Sequence, residues 1–230
     1  MMNNRELFEK KLKSEASFRG YELSELSMLG DFIGRHTVFF KKIYKAYGTS
    51  EESVKYEPDT GAPVSVMFNR EIKEVRINRL KMENTFTNQQ FSKFIELIDT
   101  CYSQIIPLGS VVEIDSSMMP EPLKDHMETT NQGALVMIIA QKVALHEDLE
   151  GFYADYLATL WPFGAQEQLS PFLVSNMMIK NVVHRGMTNE MAELFKKSLK
   201  NKTISDNLRS IAYITIDDIE KIDSTHGGVS

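Results

Sequence analysis

"SQIIPLGSVVEIDSSMMPEP", residues Ser103–Pro122, places a proline and a glycine directly ahead of a β-branched apolar run and closes on two more prolines. Pro107 presets φ and Gly109 tolerates a turn that other residues resist, so the pair launches a strand at Ser110–Ile114. The segment Ser116–Pro122 then reads as an exposed loop carrying Met118 and Met119. What lies on either side of this stretch differs in kind. Upstream, apolar residues recur at helical spacing around a hairpin; downstream they fall into short runs punctuated by Gly and Pro. The change places a boundary at residue 104, with an N-terminal region over 1–104 and a C-terminal domain over 105–230.

Working back from the boundary, Phe91, Phe94, Ile95 and Ile98 form a helical stripe with Thr87 as its N-cap, ending before Pro107. Val64, Val66 and Phe68 alternate, and after "NRE" so do Val75 and Ile77, the pattern of a β-hairpin. "YGTSEESVKYEPDTGAP" (Tyr47–Pro63) has the composition of a loop. Residues 3–14 read as a charged helix with Leu7, Phe8 and Leu12 on one side. Leu23, Leu26, Leu29 and Ile33 approximate a second helical stripe, and Thr37–Tyr44 fits either a strand or a continuing helix.

Working forward, the strands expected after Ser110–Ile114 are Ala134–Leu145, Phe152–Leu157, Phe172–Ser175 and Ile179–His184. A helix follows at Asn189–Leu199, with Thr188 as N-cap and Met191, Leu194, Phe195 and Leu199 on one face. An apolar stretch, Ile211–Ile222, precedes a tail, STHGGVS, with the composition of a disordered end. The expected fold is α+β: a helical and hairpin N-terminal region, then a small antiparallel β-meander or barrel capped by a C-terminal helix.

Composition narrows the function classes. Hydrophobic residues make up 42% and charged residues 25% of the 230, the balance of a chain that buries a core. The net charge of −6 is dispersed, with no basic stripe, which argues against nucleic-acid binding. The longest apolar run, Ala134–Ala140, is far too short for a helical membrane span. One cysteine, Cys101, excludes an intramolecular disulfide. "MMNNRELFEKKLK" has no apolar core and is not a Sec signal, so the expected location is the cytoplasm, with export by a non-Sec route left open.

Motifs for chemistry are sparse. Asp59-Thr60-Gly61-Ala62 matches the loop by which aspartic proteases present a catalytic carboxylate, a setting that must be apolar and paired with a second such loop. Here it follows Tyr56-Glu57-Pro58 and is the sequence of a turn. The five histidines, His36, His126, His146, His184 and His226, have no metal-ligand spacing, and Cys101 lies beside no basic cluster. No catalytic residue, metal ligand or cofactor site is expected. Tyr21…Glu25, Tyr47…Glu51 and Tyr213…Asp217 match a Tyr-x-x-x-acid secretion motif short enough to arise by chance.

The more specific pattern lies in the second half: Ile106-Pro107-Leu108-Gly109-Ser110-Val111-Val112, then Val136-Met137-Ile138-Ile139, Asp155-Tyr156, Trp161-Pro162-Phe163-Gly164, Phe172, and Val182-Val183-His184-Arg185-Gly186. Pro107, Gly109, Pro162, Gly164 and Gly186 are its architectural residues. Over about residues 105–190 this order resembles a Firmicutes family of unknown function, encoded beside LXG polymorphic toxins in type VII secretion loci. Ala140-Gln141-Lys142 stands where that pattern has Gly-Arg. The resemblance implies a non-enzymatic adaptor or chaperone for a secreted LXG toxin or its small helical partners. It carries no catalytic residues across.

The alternatives are an immunity protein, whose acidic charge would suit a basic toxin, and, third, a dimeric aspartic protease using Asp59. Flexible Met and large aromatics suit adaptable protein contacts. The candidate partner-binding residues are Met118, Met119, Trp161, Phe163, Met177 and Met178.

Overall fold

The computed structural model describes residues 3–119, 124, 134–145, 149–165, 170–214 and 218. The fold is α+β, and the chain divides into two compact units, Met1–Ser103 and Gln104–Ser230.

In the first unit, helix α1 (Asn4–Ser14) begins at a reciprocal cap. The Glu6 amide donates to the Asn3 side chain and the Asn3 amide donates to the Glu6 carboxylate, each at 2.9 Å; both orphan donors are thereby satisfied. α1 buries Phe8 and Leu12. Helix α2 (Leu23–Arg35) buries Leu26, Leu29 and Ile33. A Cβ on Gly30 would stand 2.1 Å from the Phe8 ring, and one on Gly34 would stand 2.3 Å from the Tyr102 ring. These two positions must lack side chains for the aromatics to reach the α2 backbone. Helix α3 (Thr37–Tyr47) settles the segment that fitted either structure: Phe39, Phe40, Ile43 and Ala46 are buried at i, i+1, i+4 and i+7, a helical stripe.

Strands β1 (Ser53–Tyr56), β2 (Val64–Asn69), β3 (Glu74–Arg79) and β4 (Met82–Thr87) form an antiparallel sheet in that order. β2 and β3 are the expected hairpin. β1 corrects the expectation of a loop over Tyr47–Pro63. Only Val54 of its residues is buried, so its apolar signal is a single side chain. β4 was also unanticipated: one of its two buried residues is the polar Asn84, which masks the alternation. Thr87 caps helix α4 (Asn88–Tyr102) as expected, exchanging two hydrogen bonds with Gln90. α4 buries Phe91, Phe94, Ile95, Ile98 and Cys101. Phe94 meets Phe8 edge-on and stacks on Phe86, with ring centroids 5.9 and 5.2 Å apart.

In the second unit, strands β5 (Val111–Ile114), β6 (Leu135–Ala144), β7 (Phe152–Leu160), β8 (Phe172–Val174) and β9 (Ile179–His184) precede helix α5 (Glu190–Ser205) and a two-residue strand, β10 (Arg209–Ser210). The sheet runs β9-β5-β6-β7, and β8 and β10 share the far edge of β7. β10 pairs there in parallel while all other pairs are antiparallel. Among the described residues the sheet stays open, so the barrel alternative is replaced by a meander with a split edge. Val112, Ile114, Val136, Ile138, Tyr156, Ala158, Leu160, Val174 and Ile179 form its core.

The architectural residues do what their types dictate. Pro107 is buried, and Gly109 and Gly164 adopt φ of +73°. Pro162 follows Trp161 through a cis peptide bond. A Cβ on Gly186 would stand 2.0 Å from the Leu108 carbonyl oxygen, and the Gly186 amide donates to Ser110 Oγ at 2.9 Å. Bare backbone at 186 lets the end of β9 close against the turn that launches β5. The apolar stretch Ile211–Ile222 begins as a 3-10 turn over Ile211–Tyr213; most of its remainder, and STHGGVS, lie outside the described residues.

Candidate functional site

Helix α5 starts at Asn189, whose side chain accepts from the Ala192 amide at 2.8 Å. The cap is therefore Asn189 and not Thr188. Thr188 instead donates to the Glu193 carboxylate at 2.6 Å. Lys196 reaches the same carboxylate at 2.6 Å, and the two bonds hold the Glu193 carboxyl below its ordinary range. The helix also runs six residues beyond Leu199, to Ser205.

Its orientation is the informative feature. The row turned away from solvent is Ala192, Lys196, Leu199 and Thr203, spaced i, i+4, i+7 and i+11. Leu199 packs against the core of the second sheet. The apolar row, roughly a third of a turn away, is left outside: Met191, Leu194 and Phe195 are 72%, 54% and 54% exposed, and Met187, just ahead of the cap, is 85% exposed. A capping helix would be expected to turn Met191, Leu194, Phe195 and Leu199 inward together. Only Leu199, at the margin of both rows, does so. A helix that keeps its largest apolar side chains in water leaves unused about 1.5–3 kcal/mol per side chain, and such patches mark contact surfaces.

The expected partner-binding residues divide. Trp161 and Phe163 are exposed in the turn after β7. Met119 and Met177 are each only 5% exposed, and Met178 packs against the core of the sheet. These three are corrections: both methionine pairs sit at 3-10 turns, where the chain tucks one or both side chains inward. Met118 ends its 3-10 turn half-buried. The sequence signal for the α5 row was its helical spacing; what it lacked was a sign of which side faces the sheet.

A second cluster is buried and complete. Asp155 on β7 is fully buried and accepts four hydrogen bonds: Lys142 Nζ at 2.6 Å, Asn176 Nδ2 at 3.1 Å, the Asn176 amide at 2.9 Å and Ser210 Oγ at 3.1 Å. Its neighbour Tyr156 donates to Asn176 Oδ1 at 3.0 Å and accepts from the Ile106 amide at 3.0 Å. The Asp-Tyr pair thus ties β6, β10, the turn after β8 and the approach to β5 onto β7. With every acceptor position occupied, the carboxylate works as a structural tie and offers no free lone pair to a substrate.

Elsewhere, Asp59 is exposed beside Gly61, whose φ is +108°, which is the turn reading and not the apolar setting that shared-proton chemistry needs. Cys101 is buried in α4. His126, His146 and His226 lie outside the described residues. Among the described residues no cluster of three His, Cys, Asp or Glu could hold a metal, and no helix is long and apolar enough to cross a membrane. An open groove of about 690 Å³ runs over the β2–β3 hairpin. Its Arg70 is committed to the carbonyls of Ala46, Tyr47 and Thr49 at 2.7–2.9 Å, closing the end of α3.

No curated protein and no solved structure matches the chain. Residues 105–195 match the model of a family described as Domain of unknown function (DUF4176). The part of the chain similar to that family therefore runs from just before β5 to Phe195 and contains Lys142, Asp155, Asn176 and all four exposed apolar side chains of the α5 row.

Proposed function

We propose that this chain is a non-enzymatic binding protein, an adaptor or chaperone that holds or targets a type VII-secreted LXG toxin or one of its small helical partners. The observation that carries the reading is the apolar row Met187, Met191, Leu194 and Phe195 standing exposed on a helix that is anchored by another face. A row at helical spacing receives an amphipathic helix side by side, and Met adapts to irregular partner surfaces. The resemblance of the second unit to a family encoded beside LXG toxins supplies the class of partner. Trp161 and Phe163, exposed at the end of β7, are secondary contacts in the same reading.

The test is capture of a cognate LXG toxin produced as two separate pieces, its LXG part and its toxin part. Capture of the LXG part supports targeting. Capture of the toxin part alone, with loss of toxicity, replaces this reading with an immunity role. Capture of neither removes both.

A further inference from the structure

The charges that flank the apolar row carry information about what can lie on it. With Met191 and Ser198 at the a positions of a heptad and Leu194 at d, Glu190 and Lys197 fall at g, and Phe195 and Lys202 fall at e. Glu190, Lys197 and Lys202 are exposed. In an antiparallel helix pair g faces g, whereas in a parallel pair g faces e. Two copies of α5 laid antiparallel bring Glu190 of each against Lys197 of the other, giving two identical ion pairs about a two-fold axis. Met191 of one copy then lies against Leu194 of the other, and Met187 reaches toward the small Ser198. Laid parallel, the same helices would set Lys197 against Lys202. The row is thus self-complementary in one orientation only.

We infer that a second copy of this chain occupies the face: the protein self-associates through α5 in an antiparallel, isologous pair that covers Met191, Leu194 and Phe195 when no other partner is bound. The inference rests on the reading of this row as a contact surface and adds that the surface is masked at rest. The contact is small. A specific interface usually covers about 800 Å² on each side, more than two exposed turns of helix present, so the dimer is weak and in exchange with monomer. A toxin helix that binds the row must displace the second copy.

The experiment is sedimentation velocity on the full chain from about 1 to 500 μM, at low salt so that the ion pairs are not screened. A monomer–dimer equilibrium is expected. Leu194→Asp removes it. Glu190→Lys and Lys197→Glu, each of which sets like charges against each other at both symmetric positions, each raise the dissociation constant roughly tenfold, and the double exchange E190K/K197E restores it. All three positions are exposed, so circular dichroism should show every variant folded. A chain that stays monomeric throughout overturns the inference, as does a dimer indifferent to Leu194→Asp or a double exchange that fails to restore association. A monomeric chain that still captures toxin would overturn the pairing and leave the proposed function standing; a dimer that captures no toxin would do the reverse.

Discussion

Lys142 and Asp155 face each other across β6 and β7, Nζ to Oδ1 at 2.6 Å, with the carboxylate fully buried and the Lys142 side chain nearly so. Lys142 reaches this position with φ at +46° and also lies over the Tyr153 ring, 4.4 Å from its centroid. A buried pair of this kind is expensive to break from either side, because the remaining charge has no solvent to turn to. Asp155→Ala leaves Lys142 and three further donors without their acceptor, and should destabilise the second unit by about 3–5 kcal/mol. Lys142→Ala should cost somewhat less, since Asp155 keeps its bonds from Asn176 and Ser210. Urea unfolding with a probe in the second unit checks both. A loss below about 1 kcal/mol for Asp155→Ala would show that the network is dispensable.

Two glycine-to-alanine changes near β5 should separate by mechanism. Gly186→Ala drives a methyl into the Leu108 carbonyl, 2.0 Å away, and the backbone must part, so about 3 kcal/mol or more is expected. Gly109→Ala meets open space and only the strain of φ +73°, about 1–2 kcal/mol. Thermal midpoints of the two variants measured side by side test the order; equal losses would contradict the close approach at 186.

An acid-side effect is expected at the β5–β9 ladder. Lys180 and Asn181 on β9 donate to Glu113 on β5 at 2.8 and 2.9 Å, and hold its carboxyl below the ordinary value. A carboxyl whose folded value is lowered contributes stability that is full above the ordinary range and is lost as pH falls through the lowered value. Wild-type stability should therefore decline below about pH 4.5, and Glu113→Gln should flatten that limb by lying slightly below wild type at neutral pH and meeting it in acid, a small difference because the pair is partly solvated. Thermal melts between about pH 6 and 3 read it out; an unchanged acid limb in the variant would count against the assignment.

Much of the fold follows directly from the order of residues. The Pro107–Gly109 turn, the β2–β3 alternation and the Thr87 cap are local signals, and local physics decides them. β1, β4 and β10 escaped because each buries too few apolar residues to alternate visibly: Val54 alone in β1, Asn84 beside Phe86 in β4, Ser210 in β10. The candidate surface was half legible. The spacing of Met191, Leu194 and Phe195 marks an apolar row, but which side of α5 meets the sheet is decided by tertiary packing, where Leu199 is the side chain that reaches the core. Met119 and Met177 show the same limit from the other side, since a methionine in a polar loop is free to turn inward.

Because the α5 row is in water, replacing it should not unfold the protein. Leu194→Asp and Phe195→Asp are each expected within about 0.5 kcal/mol of wild type, and both should increase solubility at high concentration by removing exposed apolar area. Urea unfolding gives the first quantity and light scattering the second. A loss above about 2 kcal/mol at either position would mean that the row is packed and not presented.

Whether this row receives a protein partner is decided by capture of the split LXG toxin with wild-type chain and with the Leu194→Asp/Phe195→Asp double variant, at equal concentration and with both shown folded. Wild type should retain one toxin piece, and the double variant should bind it more than about tenfold more weakly. Equal capture by the two proteins would contradict this and move the contact to another surface, with the Trp161–Phe163 turn the next to be replaced.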